Sequence, residues 1–251
     1  MSPRAALVTG GSRRIGRTLA LRLAERGFSV AIHHRASPDE AEAVAAEIVA
    51  LGGRAVTVDG ELSEPKDVAA LVPRAVQALG TPLTLLVNNA SLFLDDRVGH
   101  LADAQWDLQL DVNLKAPVFL AQAFAAQAPE GADAQVINLI DQRVLKQNPQ
   151  FFSYSISKAG LFHATRMLAQ ALAPRIRVNA VGPGPTLPSI HQSAEVFAAE
   201  AASTLLGKRA TPEDIAQAVL YLVDAKAVTG QMIAVDAGQH LLWRTPDILH
   251  D

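Results

Sequence analysis

The 251-residue sequence contains no cysteine. That excludes disulfides, thiolate metal sites and cysteine nucleophiles, and it suits a reducing compartment. Aromatic residues are scarce, 5% of the chain against 49% hydrophobic overall. The core must therefore be built from small and branched aliphatic side chains, as in parallel strands covered by alanine-rich helices. An excess of one charge is also missing: 22 Lys and Arg oppose 25 Asp and Glu, a formal net of −3. Such a balance gives no general attraction to nucleic acid or to an anionic membrane surface. No apolar run reaches the roughly 18 to 20 residues of a membrane helix. The N-terminus has no basic stretch leading into an apolar one. The expectation is a cytoplasmic protein that handles a small molecule, with neither nucleic acid nor membrane as partner. The histidines show no metal-ligand spacing, so no metal is expected.

What is present is an alternation. Residues 5–9, 28–32, 54–58, 83–87, 135–139, 175–181 and 232–235 read as strands, and residues 14–26, 38–51, 65–79, 103–111, 114–127, 154–172 and 212–223 as helices. Strand, helix, strand, repeated, predicts right-handed crossovers: an α/β fold with a seven-stranded, mainly parallel sheet and helices on both faces. No linker, charge run or internal repeat divides the chain, so residues 1–251 read as one doubly wound, Rossmann-type domain with a small flap near 186–210.

Directly after the first strand stands Thr9-Gly10-Gly11-Ser12-Arg13-Arg14-Ile15-Gly16, followed by a helix. Glycine allows a tight turn and lets an anion approach bare backbone, and a helix N-terminus points N–H groups at it. Gly10, Ser12, Arg13, Arg14, Ile15 and Gly16 are therefore candidate dinucleotide contacts. After the second strand comes His33-His34-Arg35-Ala36-Ser37. No acid stands there to hold a ribose 2′-hydroxyl, while Arg35 and Ser37, with Arg13 or Arg14 nearby, could embrace a 2′-phosphate, which favours NADP(H) over NAD(H). The adjacent His33 and His34 would point to opposite faces of a strand, which argues against a metal pair.

Tyr154 and Lys158 are four apart on a predicted helix and share a face. A cation beside a phenol favours the phenolate, which would lower the Tyr154 pKa and make it a general acid near neutral pH. The order along the chain adds specificity: a Gly-rich first turn, Asn88-Asn89-Ala90 after the fourth strand, Asn113, Tyr154 with Lys158, and Gly182-Pro183-Gly184 after the sixth. Each lies where open parallel sheets build their sites, at the carboxyl ends of strands.

Taken in this order, the motifs resemble the short-chain dehydrogenase/reductase family over the whole chain. The resemblance implies Tyr154 as the acid, Lys158 on the nicotinamide ribose, Asn113 in a water relay, and a homotetramer built through the long helices. Two departures narrow it. The serine expected about a dozen residues before the tyrosine is replaced by Leu139-Ile140-Asp141-Gln142, with Asp141 thirteen before Tyr154. The middle glycine of the first loop is replaced by Arg14. Both are similar to the pteridine reductase branch, as are the His33–Ser37 segment and Asn88-Asn89-Ala90-Ser91-Leu92-Phe93. That likeness implies Ser91 at pterin or cofactor, Phe93 stacked on a pterin ring, Asp141 and Tyr154 at the substrate, and Thr186 at the cofactor with Pro183 and Gly184. Glu61 and Leu62 stand where the family has residues near adenine.

An ionised aspartate cannot donate to a carbonyl oxygen; it accepts from N–H groups or, if protonated, donates, so Asp141 puts simple ketones in doubt and makes a nitrogen-rich ring more attractive. Other readings stay open. Asp141 also suits a turn cap, Phe93 a packing role, and the substrate could be another carbonyl, a sugar or an acyl group. A non-catalytic NADP-binding redox regulator is a third possibility, weakened by the presence of both Tyr154 and Lys158. Trp106 and His163 read as packing residues, His191 and Glu195 as surface positions of the flap, and Trp243 as a residue for a subunit contact.

Overall fold

The computed structural model describes residues 4–188 and 193–243. Strands β1 (Arg4–Val8), β2 (Phe28–His34), β3 (Ala55–Asp59), β4 (Leu85–Asn88), β5 (Ala134–Leu139), β6 (Ile176–Pro183) and β7 (Met232–Val235) form one sheet in the order β3-β2-β1-β4-β5-β6-β7. Every pairing is parallel. The helices are α1 (Arg14–Glu25), α2 (Pro38–Ala50), α3 (Pro65–Leu79), α4 (Asp103–Leu110), α5 (Ala116–Gln127), α6 (Phe152–Leu172), α7 (Ala194–Ala202) and α8 (Pro212–Asp224).

Alternation along the strands divides the core. In β1, Ala5 and Leu7 face a cluster with residues of α3, α5 and α6, including Leu71, Leu120, Phe124 and Ala169. Ala6 and Val8 face the other cluster, with Leu19, Leu23, Ile48 and Val219 of α1, α2 and α8. A strand buried on both faces needs apolar residues at every position, which is why these strands read as continuous aliphatic runs.

The strand order reverses between β1 and β4, and a crevice opens at the carboxyl ends of those strands. Two local departures from the sequence reading shape it. β2 continues two residues past Ile32 because His33 and His34 pair with Val58 and Asp59 of β3. The stretch between α4 and α5 is a π-helical turn, Asp111–Lys115, so the two helices form one rod with a bulge at Asn113. Pro117 lies four residues after Asn113 and has no N–H for that residue's carbonyl, a local cause for the altered register. In the expected flap, Ser193 caps α7 by accepting from the Val196 N–H. Residues 189–192, His191 among them, lie outside the described residues.

Candidate active site

The loop after β1 is drawn tight against β4. Asn89 donates from Nδ2 to the carbonyls of Thr9 (2.8 Å) and Gly10 (3.1 Å). A Cβ on Gly16 would stand 2.0 Å from the Gly10 carbonyl oxygen, and Gly10 itself has φ +61°. Both positions therefore require glycine. His33, missed by the sequence reading, ties this loop to the next strand. Its Nδ1 accepts from the Gly10 N–H at 3.1 Å and its Nε2 lies 3.1 Å from the Gly60 carbonyl. An acceptor at Nδ1 and a donor at Nε2 define one neutral tautomer. Burial pushes the His33 pKa down to about 4, in keeping with that neutral ring.

Gly10, Ser12, Arg13, Arg14, Ile15, Gly16, His34, Arg35, Ser37, Glu61, Leu62, Asn89, Ala90 and Ser91 line one cavity of about 390 Å³. Features of this wall suit a dinucleotide. No side chain caps the N-terminus of α1, so its N–H groups suit a phosphate. Nδ1 of the buried His34 has no hydrogen-bond partner. The hydroxyls of Ser12 and Ser37 meet at 2.8 Å across the cavity's edge. Two arginines behave differently from expectation. Arg14, held at φ +53°, donates to the carbonyls of Pro188 (3.0 Å) and Leu187 (3.2 Å). It ties down the base of the flap while also lining the cavity. Arg35 lies 3.6 Å from Glu61 and is over half exposed. Pro183, Gly184 and Thr186 are not in this cavity wall. Gly184 donates to Val235 and packs so closely on Asp236 that a Cβ would stand 2.5 Å from that side chain. Thr186 bonds back to the Gly184 carbonyl.

On the β5 side, Tyr154 and Asp141 meet. The Tyr154 hydroxyl donates to Asp141 Oδ2 at 2.8 Å, and Asp141 Oδ1 accepts from the Arg143 N–H at 2.8 Å. Asp141 thus does cap a turn, and also faces the tyrosine. Burial raises the Asp141 pKa. Burial, and next the Asp141 charge, push Tyr154 well above its ordinary value. This corrects the expectation of a phenol acidified by Lys158. The ammonium instead donates to the Leu139 carbonyl at 2.9 Å and lies 5.7 Å from the Tyr154 ring centre. Burial lowers the Lys158 pKa to about 8. Asn113 is fully buried, and its amide is saturated: Oδ1 accepts from Ser91 Oγ (3.1 Å) and Leu92 N (2.8 Å), and Nδ2 donates to Leu92 O (2.9 Å) and Ser157 Oγ (3.2 Å). Its side chain clamps the Ser91–Leu92 turn, so a relay water would have to use its main chain.

Phe93 stands beside this centre, edge-on to Tyr154 with centroids 4.7 Å apart and stacked on Phe151 at 4.0 Å. The Arg143 guanidinium lies 5.3 Å and 5.1 Å from the centres of those two phenylalanine rings. Neither Arg143 nor Phe151 was signalled by the sequence. Phe151 has φ +52° and precedes α6. Because the residue at the start of α6 offers no cap, buried Asp96 supplies one from a distant loop: its carboxylate accepts from the Ser153 N–H at 3.1 Å and from the Ser153 hydroxyl. A carboxylate there also complements the helix dipole. Asp96 thereby positions the turn that carries Tyr154. Trp106 packs near Phe152, as a packing residue should.

Comparison with known proteins fits this geometry. A family model described as enoyl-(acyl carrier protein) reductase matches residues 10–240. The 3-oxoacyl-(acyl-carrier-protein) reductase FabG of Staphylococcus aureus is 34% identical over 243 residues, 95% of this chain and 98% of that protein. A short-chain type dehydrogenase/reductase of Picea abies is 34% identical, covering 94% of this chain and 92% of its own. The crystal structure of FolM alternative dihydrofolate reductase 1 from Brucella canis, complexed with NADP, is 51% identical, with a TM-score of 0.94 over 98% of this chain and 97% of that one. With the Gly-rich turn, the Tyr154–Lys158 pair and the seven-stranded parallel sheet in place, the chain belongs to the short-chain dehydrogenase/reductase family of oxidoreductases.

Proposed function

We propose that this oxidoreductase uses NADPH to reduce a pterin or a similar nitrogen heterocycle. One observation carries the reading: a part-buried carboxylate, Asp141, lies 2.8 Å from the Tyr154 hydroxyl. A ketone reductase needs a second donor at that place to steady a carbonyl oxygen. A carboxylate offers lone pairs, which match the N–H edge of a ring such as a dihydropteridine. Phe93, edge-on to Tyr154, supplies an aromatic surface for a flat substrate. The 51% identical FolM structure, named for a dihydrofolate reductase and complexed with NADP, supports both halves of the reading.

The phosphates of NADPH would lie along Gly10–Gly16 at the start of α1, with the 2′-phosphate near Ser12, His34, Arg35 and Ser37. When bound, the cofactor supplies a hydride to an electron-poor ring carbon. Lys158 places a positive charge below the Tyr154 ring and would hold the cofactor ribose. Tyr154, with its raised pKa, is protonated at neutral pH and gives its proton to the ring nitrogen that gains charge. Asp141 accepts from the Tyr154 hydroxyl in the resting site and from a substrate N–H when the ring is bound, and solvent returns a proton to Tyr154 after the product leaves. General acid help of this kind contributes roughly 10²–10⁴-fold.

A ketone or acyl substrate is the competing reading, favoured by the FabG relative. Anaerobic oxidation of NADPH and NADH against biopterin, dihydrobiopterin, dihydrofolate, simple ketones and a 3-oxoacyl thioester separates the two. Fast NADPH oxidation with a pteridine is expected. Silence on every pteridine with turnover of a ketone or thioester would sink the proposal.

A further inference from the structure

Arg143 stands out among the residues that the family motifs do not explain. Its guanidinium lies 5.3 Å from the centre of the Phe93 ring and 5.1 Å from that of Phe151. Its backbone N–H is fixed to Asp141, which in turn bonds Tyr154. Its Nη1 is buried and has no hydrogen-bond partner. Arg143 is close enough to Asp141 to bear on its charge, yet no ion pair joins them and no other described carboxylate reaches it. A buried guanidinium nitrogen without an acceptor is costly, because the group has lost water and gained nothing in return. The usual complement of an arginine fork is a carboxylate.

Resting on the pteridine reading, we propose that Arg143 is a substrate-binding residue that takes a carboxylate carried by the substrate, so that the site prefers anionic pteridines to neutral ones. The guanidinium lies beside the stacked Phe93 and Phe151 rings, and the turn at Gln142–Val144 keeps its main chain next to Asp141. One short segment thus presents two complementary groups, a carboxylate for ring N–H groups and a cation for a pendant acid. Lysine at this position would keep the charge but lose the planar fork that lies over the rings.

The test compares dihydrofolate, which carries carboxylates, with dihydrobiopterin, which carries none, in the wild type, Arg143→Met and Arg143→Lys. Steady-state rates give KM and kcat separately, and calorimetric binding of folate to the protein saturated with NADP+ gives a readout independent of turnover. In the wild type, KM for dihydrofolate is expected below that for dihydrobiopterin. In Arg143→Met, dihydrofolate KM and folate Kd should rise roughly ten- to hundredfold. The dihydrobiopterin KM should rise at least tenfold less than the dihydrofolate KM, because only dihydrofolate loses a contact to its carboxylate. Arg143→Lys should recover part of the loss. An equal loss for both substrates would assign Arg143 a merely structural role over the rings and overturn the proposal, as would unchanged folate binding in Arg143→Met; in both cases the pteridine reading stands. If the wild type neither turns over nor binds any pteridine, the proposal and the reading on which it rests fall together.

Discussion

The crevice has two sides, built on different principles. On the β1–β2–β4 side, backbone does the shaping. Gly10 and Gly16 bring main chain against main chain, and Asn89 and the neutral ring of His33 hold the Gly10 peptide from both directions. On the β5–α6 side, side chains do it. Asp141, Tyr154, Phe93, Phe151 and Arg143 converge from three separate stretches of chain and include a buried donor with no partner. A ligand common to many relatives, such as a dinucleotide, is met by fixed backbone. A ligand particular to one enzyme is met by side chains that can change without disturbing the sheet.

If that division is right, damage to one side should leave the other intact. The largest effect is expected from Tyr154→Phe, which removes the donated proton: kcat should fall by roughly 10²–10⁴, while NADPH affinity, read by fluorescence titration, stays unchanged. Loss of cofactor binding along with turnover would mean that the two sides are not separable.

The opposite side can be broken by acid. His33 has a folded pKa of about 4 against an ordinary 6.5, so protons bind the unfolded chain more readily. Its contribution to stability is complete above about pH 6.5 and is lost as pH falls towards 4, by up to ~3 kcal/mol. Denaturant titrations between these limits should show the loss, and His33→Gln should flatten it. An unaltered pH profile in that variant would dismiss the ring as the anchor of Gly10.

A smaller effect is expected at Asp96. Asp96→Ala leaves the Ser153 N–H buried without its acceptor, a cost of about 1–3 kcal/mol. The melting temperature should drop by several degrees and kcat should fall, because Tyr154 follows Ser153. Rescue by Asp96→Asn, which keeps an acceptor oxygen, would separate a capping role from loss of fold. Unchanged kcat in Asp96→Ala would show that the start of α6 needs no external cap.

The same division explains what could be read in advance. The alternating strands and helices are legible because apolar periodicity records burial locally, and the Gly-rich turn and the Tyr154–Lys158 spacing because their partners are near in sequence. The end of β2 is not legible because His33 and His34 are polar strand residues whose pairing with β3 is decided elsewhere. Arg143, Phe151 and Asp96 gave no signal because their roles come from contacts made across the fold: a guanidinium over two rings, and a carboxylate capping a helix some 57 residues away. The Tyr154 pKa is not legible for a like reason. Spacing placed the lysine, but only the fold shows that Asp141 lies nearer the hydroxyl and that the ammonium is engaged by the Leu139 carbonyl.

Under the proposed function, the carboxylate beside Tyr154 selects a nitrogen heterocycle over a ketone. The most direct test is anaerobic NADPH oxidation by the wild type and Asp141→Ser, each with dihydrobiopterin and with a simple ketone. The wild type should reduce the pteridine, and the serine variant should lose most of that activity while gaining rate on the ketone. Equal pteridine rates in the two proteins, or a wild type already active on the ketone and indifferent to the exchange, would contradict it.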